Sequence, residues 1–223
     1  MHESNTQEVA MKKLAMMLLV MFAPMMGHAE GLAVSGKVGT LGLGLELTQG
    51  YSDALTARLG FNAFNFATNS TKGTVNYDAN LQLQTISALA DWYPMHGAFR
   101  TTGGLFYNKN KLSLNAIPTA GTTNYTINGA NYALNSLQGN ATFNSVAPYL
   151  GLGWGNPTGQ GKGWGLTSDL GILFQGSPNV TLTQTGGNAA AQAAVNQEQA
   201  RLQNSLSNFK LYPVASVGVS YQW

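Results

Sequence analysis

Five ionisable residues, Glu46, Arg58, Asp91, Arg100 and Asp169, fall on the polar side of segments whose other side is almost wholly apolar. Two carboxylate–guanidinium pairs and a further carboxylate, gathered in a narrow polar space, could line an ion pathway or form a gate. The same charges could instead fill that space as mutually satisfied pairs and seal it. Hydrolytic chemistry asks for more: a histidine base beside a nucleophile. Beyond residue 29 the chain has one histidine, His96, in the turn Pro94-Met95-His96-Gly97, and no serine is placed beside both it and Asp91. An enzyme is therefore not expected. Scattered carboxylates and a single histidine lack metal-ligand spacing, and the absence of cysteine removes thiolate chemistry and disulfides. No metal and no cofactor are expected. The glycine runs Gly151 to Gly155 and Gly159 to Gly165 lack the strand–loop–helix context and Lys-Ser/Thr ending of a phosphate loop.

The segments that carry these charges are read from alternation with a period of two. Leu41, Leu43, Leu45 and Leu47 alternate with Gly42, Gly44, Glu46 and Thr48, and Gly50 to Asp53 reads as a turn. Leu55, Ala57, Leu59 and Phe61 follow on one face, with Arg58 on the other, so a regular hairpin would set Glu46 opposite Arg58. Residues 67 to 77 read as a polar loop. A strand from Asp78 to Trp92 then meets the next, Phe99 to Tyr107, across a two-residue turn that would pair Asp91 with Arg100. Leu81 and Leu83 have the opposite parity to Ile86, Ala88 and Ala90, which a bulge near Thr85 would reconcile.

Residues 113 to 141 are rich in Asn, Thr and Gly, and Asn128-Gly129 suggests a small hairpin. Val146 to Trp154 and Trp164 to Phe174 are further strands around a turn at 155 to 163, with Asp169 inward. Asn188 to Phe209 changes to helical spacing, with Ala191, Val195, Leu202, Leu206 and Phe209 on a stripe. It would be a lid over the barrel mouth or a mobile surface loop. Ala215, Val217, Val219, Tyr221 and Trp223 make the outward face of the last strand. Seven strands are clear. An eighth is expected at Leu32 to Val38, unless residues 32 to 47 form one long strand and another pass lies in a loop.

Met11-Lys12-Lys13, the apolar run Leu14 to Met26 and Gly27-His28-Ala29 have the form of an export signal, too short to span a bilayer. Residues 1 to 29 are thus expected to lie outside the mature fold, with translation starting at Met11, and residues 30 to 223 to form the domain. Past residue 29 nine Lys and Arg face seven Asp and Glu, which excludes the clustered basic face of a nucleic-acid binder. Charged residues make up only 9% of the chain, against roughly 25% in soluble domains. No apolar run past the signal approaches the ~20 residues of a spanning helix. Short alternating segments, few charges and an export signal together predict an all-β fold: a transmembrane antiparallel up-and-down β-barrel of eight strands, with a short helix in the last extracellular loop.

Counting back from the C-terminal strand puts the long connections outside and the short turns in the periplasm. Trp92, Trp154, Trp164 and Trp223 then all fall at periplasmic ends, as an aromatic girdle would. Lys72, Lys109, Lys111 and Lys210 fall at or above the outer rim, where they would meet lipopolysaccharide phosphates or simply aid solubility. The motifs APYLGLGWGN (147 to 156), LGILFQGSP (170 to 178) and YPVASVGVSY (212 to 221) resemble a group of proteobacterial outer-membrane barrels, similar in architecture to the small OmpA, OmpX and OmpW types. The resemblance covers the chain from about Gly39 onward. It implies recognition by the barrel-assembly machinery and carries no agreed activity; the final Trp stands where Phe is commoner. The expected protein is a monomer of the outer membrane with a structural or surface-interaction role and a narrow, closed lumen. A small-solute or ion channel is the alternative, and a lipid-modifying enzyme a distant third.

Overall fold

The computed structural model describes residues 31–72, 75–118, 123–159 and 161–223; the expected export signal, residues 1 to 29, lies outside them. In chain order the strands are β1 Leu32–Gly39, β2 Gly42–Ser52, β3 Leu55–Lys72, β4 Val75–Trp92, β5 Phe99–Asn108, β6 Lys111–Pro118, β7 Thr123–Ile127, β8 Ala130–Leu134, β9 Ser136–Thr142, β10 Val146–Trp154, β11 Gly163–Phe174, β12 Asn179–Thr185 and β13 Leu211–Gln222. Helix α1, Ala189–Leu206, lies between β12 and β13.

All pairings are antiparallel. β1 pairs with β2 and β13, β2 with β3, and β3 with β4. The half of β4 nearest Trp92 pairs with β5, β5 with β10, β10 with β11, and β11 with β13. The pairings thus return to β1 after eight strands. Each of these strands has a neighbour on both sides over at least part of its length. The first strand, hard to place from its sequence, is fixed on both sides: Ala33 to Gly39 face Gln222 to Ser216 on β13, and Leu32 to Gly39 face Gln49 to Gly42 on β2. Below, the end of the ring near Trp223 is called the lower end and the end near Thr40 the upper.

The sheet is larger than the eight strands expected, because β3 and β4 each run for 18 residues and rise past the ring. The upper half of β4 pairs with β6, β6 with β9 and β9 with β12, so eleven strands share one sheet. Residues 67 to 77, expected as a polar loop, belong mostly to this rise: Ala67 to Lys72 pair with Asn80 to Val75. Polar residues here do not signal a loop, since a strand wetted on its outer face needs no apolar alternation. Residues 113 to 141 likewise hold most of β6, β7, β8 and β9. The hairpin expected at Asn128-Gly129 is present as β7–β8, with both turn residues at positive φ (52° and 81°), the type I′ geometry that Asn-Gly favours.

No bulge occurs near Thr85. β3 and β4 stay in register from Leu55 opposite Trp92 to Lys72 opposite Val75, and Leu83, Thr85, Ser87, Leu89 and Asp91 are all buried on the inner side. The change of parity in the sequence has another origin. The inner face of β4 carries Asp91, Leu89, Ser87, Thr85 and Leu83 in turn, so it mixes polar and apolar residues and Leu83 lies on it without any slip of register.

A second core lies above the ring. Val75, Ala116, Tyr125, Ile127, Leu134, Ala191, Ala194 and Val195 are buried together, with Tyr132, Leu137 and Leu182 packed against them. Helix α1 belongs to this lobe and touches β12, β7 and β8. It starts at Asn188, whose side chain accepts from the Ala191 N–H, the usual way an early helix donor is satisfied. Its buried residues are Ala191, Ala194 and Val195; Leu202 and Leu206 are half-buried, and Phe209 lies exposed beyond the helix. The helix therefore packs on the lobe, its main contacts being with β12, β7 and β8. Gln203 and Gln199 accept from the backbone N–H groups of Val180 and Leu182, both at 2.8 Å, and Gln203 donates to Pro178 O. The helix so covers the outer edge of β12, which has β9 on one side only.

Candidate functional site

Six charged side chains meet inside the ring: Lys37 from β1, Glu46 from β2, Arg58 from β3, Asp91 from β4, Arg100 from β5 and Asp169 from β11. Period-two geometry sends each inward, and the lower interior has no other place for them. Arg58 is the hub. Its Nη1 donates to Glu46 Oε1 (2.9 Å) and Asp169 Oδ2 (3.2 Å), its Nη2 to Asp91 Oδ1 (2.9 Å) and Asp169 Oδ1 (3.1 Å), and its Nε lies 2.7 Å from Asp91 Oδ2. Arg100 donates to Asp169 Oδ1 (2.7 Å) and to the carbonyl of Gly155, and sits 3.6 Å from Asp91 Oδ1. Lys37 Nζ donates to Glu46 Oε2 at 2.6 Å. Thr56 and Thr102 hydroxyls donate to Asp91. Three cations balance three carboxylates, and the Arg58, Arg100 and Asp91 side chains are at most 1% exposed. A cluster this dry is stable only because each charge has several partners.

The five residues expected on the inside thus come together, but not as the two directly opposed pairs. Glu46 faces Gly60, and Arg58 faces Thr48. The register shifts between Gly50 and Ser52, which moves the turn along and makes the pair diagonal. Asp91 faces Thr102 rather than Arg100, because the connection runs from Tyr93 to Ala98 and is longer than a two-residue turn. His96 is exposed in it, with φ 52°. Lys37 was not expected in the cluster. Its parity with Ala33 and Ser35, against Val34, Gly36 and Val38, is the signal that would have found it.

Glycines make the room. Arg100 and Asp169 lie on β5 and β11 on either side of β10, and both are in register with Gly153. A Cβ at Gly153 would stand 2.6 Å from Arg100 Nε. Gly153→Ala is accordingly expected to cost about 1–3 kcal/mol by overpacking, read as a lower urea midpoint for the detergent-folded protein. An unchanged midpoint would mean that Arg100 can leave its place freely.

Above the charges a cluster of apolar side chains fills part of the interior, beside the buried Asn62, Thr85 and Ser87. Leu41, Leu89, Phe106, Ala147, Tyr149, Leu173 and Val214 are buried in one cluster, with Tyr212 against it, and the Phe106 and Tyr149 rings are 5.3 Å apart. Between the layers, by Lys37, Asn62, Tyr149 and Asp169, is a cavity of ≈ 20 Å³, about enough for one water. Below the charges Tyr93 is fully buried. The 155–163 turn reaches inward there, with Gln222 Nε2 donating to Thr158 O at 3.2 Å.

The four tryptophans point outward at the lower end. Trp92 and Trp154 close β4 and β10, Trp164 packs on Tyr221 with ring centroids 5.0 Å apart, and Trp223 follows β13. All four are exposed, Trp164 to 75%. Of the four lysines expected at the rim, Lys109 lies over the Tyr107 ring at 5.4 Å from its centroid. Lys111 opens β6, Lys210 is exposed just before β13, and the Lys72 side chain lies outside the described residues.

Fold and interior together define an antiparallel β-barrel carrying a side lobe at one end, its bore occupied by a neutral charge cluster beneath an apolar layer. Two solved structures share that fold. Acinetobacter baumannii CarO2 superposes with a TM-score of 0.58 at 22% identity, over 87% of this chain and 99% of that one. Acinetobacter baumannii CarO gives 0.57 at 23% identity, over 87% and 98%. No protein-family model and no curated protein matches the chain.

Proposed function

We propose that the chain is an outer-membrane β-barrel, an eight-stranded closed ring sealed along its bore, whose role is structural or lies in surface interactions through the lobe, and not in transport or catalysis. The observation that carries this reading is the filled interior: charges that neutralise one another below, aromatic and aliphatic side chains above, and a cavity between them of ≈ 20 Å³. A solute path needs continuous room, and a bare ion needs groups free to replace its water. The membrane part of the reading is supported by the outer wall. Leu43, Leu45, Leu150, Leu166, Leu170 and Val217 are each more than 60% exposed, an apolar surface that a soluble monomer would not leave in water. The exposed tryptophans below it suit a periplasmic interface.

On this reading the lobe and α1 lie outside the cell, the short turns in the periplasm, and lipopolysaccharide around the upper rim. A monomer fits, since the ring needs no second chain to satisfy its strands. Delivery by the barrel-assembly machinery accompanies the reading. The chain has no cysteine, which makes the topology directly testable. Ser205→Cys on α1 is expected to react on intact cells with a maleimide–polyethylene glycol too large for porins, and Met95→Cys only after the outer membrane is permeabilised. Equal labelling of both, or the reverse order, would overturn the reading.

A further inference from the structure

Above the ring the sheet runs β12–β9–β6–β4–β3, and only one of its two edges is covered. At β12 the Gln199 and Gln203 side chains of α1 take the N–H groups of Leu182 and Val180. At the other edge β3 rises past β2, whose last pairing is Leu43 opposite Ala63, and Phe64 to Thr71 have only β4 beside them. The groups this bare edge presents follow from β4. Gln84 faces Ala63, donates its N–H to Asn110 Oδ1 and accepts at its carbonyl from the Lys109 N–H, both away from β3. Such directions alternate along an antiparallel ladder, so Asn65, Ala67, Asn69 and Thr71 turn their N–H and C=O groups to the open side. None of these groups has a partner among the described residues, and Phe64 to Thr71 are all exposed. A free edge is commonly guarded by lysine, proline or a bulge. The segment FNFATNST (64 to 71) has none of these, since its register with β4 is unbroken.

The side chains narrow the occupant. Phe64 and Phe66 share one face of the sheet with Leu81, Leu112 and Leu114. The lobe core covers that face at Ala116, Leu137 and Leu182, whereas Phe64, Phe66 and Leu114 are 44%, 54% and 51% exposed. No charged residue stands on β3 between Arg58 and Lys72. A strand added here would continue the line of β2 and be selected by alternation, not by charge. We infer that this edge takes up an extended segment of another protein, antiparallel to β3, with alternate apolar residues beside Phe64 and Phe66. A second copy in the same membrane does not suit the edge: a two-fold axis along the membrane normal sets like backbone groups of the two β3 strands against each other. The inference rests on the surface-interaction reading above and gives its partner a chemistry.

The test uses the whole mature chain in lipid nanodiscs, with folding checked by circular dichroism and protease resistance. The probe is the fluorescently labelled peptide Lys-Thr-Val-Thr-Val-Thr-Val-Thr-Lys, read by anisotropy against empty nanodiscs. Added antiparallel, it sets its valines beside Phe64 and Phe66 and turns the N–H groups of its threonines to β3. N-methylation of the threonines is expected to weaken binding by about tenfold or more, as loss of several hydrogen bonds implies, and N-methylation of the valines to leave it unchanged. Ala67→Pro removes an N–H on the open side and spares the ladder to β4, so it should weaken the parent peptide to a similar degree. Wild-type nanodiscs that bind no more peptide than empty ones, equal binding of the two methylated isomers, or undiminished binding to folded Ala67→Pro would each overturn the site. Loss confined to the valine isomer would overturn the antiparallel arrangement. Dimers on native mass spectrometry that Ala67→Pro abolishes would put a second copy on the edge instead. Peptide binding in nanodiscs does not depend on which side of the membrane the lobe faces, which the Ser205→Cys labelling decides, so the edge and the surface reading fail separately.

Discussion

Replacing Arg58 with alanine is expected to destabilise the folded barrel by about 3–5 kcal/mol, the usual result of removing one partner from a buried ion cluster, while leaving it non-conducting. Arg58 touches Glu46, Asp91 and Asp169 at once. Without it, Lys37 and Arg100 alone face three carboxylates, and one negative charge is left over in a space that water barely reaches. That imbalance, more than the lost contacts, sets the size of the effect. Arg58→Lys restores the charge without the planar fork that reaches three carboxylates together, so it should fall between the two. Urea titration of the protein in vesicles, followed by tryptophan fluorescence, measures the difference. The absence of conductance follows from the second layer, because Leu41, Phe106, Tyr149 and Leu173 do not depend on Arg58 for their packing. Conductance steps in Arg58→Ala with an unchanged urea midpoint would show the charges to be a gate.

Leu134→Ala is expected to loosen the lobe and spare the ring. Leu134 is fully buried against the α1 side of the second core, beside Val195 and Ala191, and truncating such a leucine costs about 2–5 kcal/mol. The two cores are separate clusters, so the cost should stay local. Hydrogen exchange would show it: amides of 189–206 and of the β7–β8 hairpin should speed up together, while those of β1 and β13 remain protected. Equal acceleration everywhere would mean that ring and lobe fold as one unit.

The sequence was most readable where one side of a strand is apolar and exposed and the other meets a polar filling. Alternation located β2, β5, β10, β11 and β13 and the inward side of Glu46, Arg58, Asp91, Arg100 and Asp169, because the contrast between media is largest there. It failed wherever that contrast vanishes. The upper parts of β3 and β4, with β6, β9 and β12, have a wet outer face, and Asn- and Thr-rich segments such as 67–72 conceal regular pairing. The apparent break at Leu81 and Leu83 came from an inner face that carries leucines as well as polar residues, a mixture that alternation cannot distinguish from a bulge. Partner choice inside the cluster was hidden for a different reason. A shift at Gly50/Ser52 and a longer connection after Trp92 displaced both pairs by a step, and turn lengths read from sequence are uncertain by that much. Lys37 stayed out of view because the strand carrying it is short and is fixed by its pairing with β13 and β2.

A bore sealed by these two layers does not conduct. Single-channel recording of the purified mature chain in planar bilayers, with insertion verified in the same preparation, tests it most directly. A silent protein is expected at every applied voltage; reproducible conductance steps from the unmodified chain would mean that the bore is open.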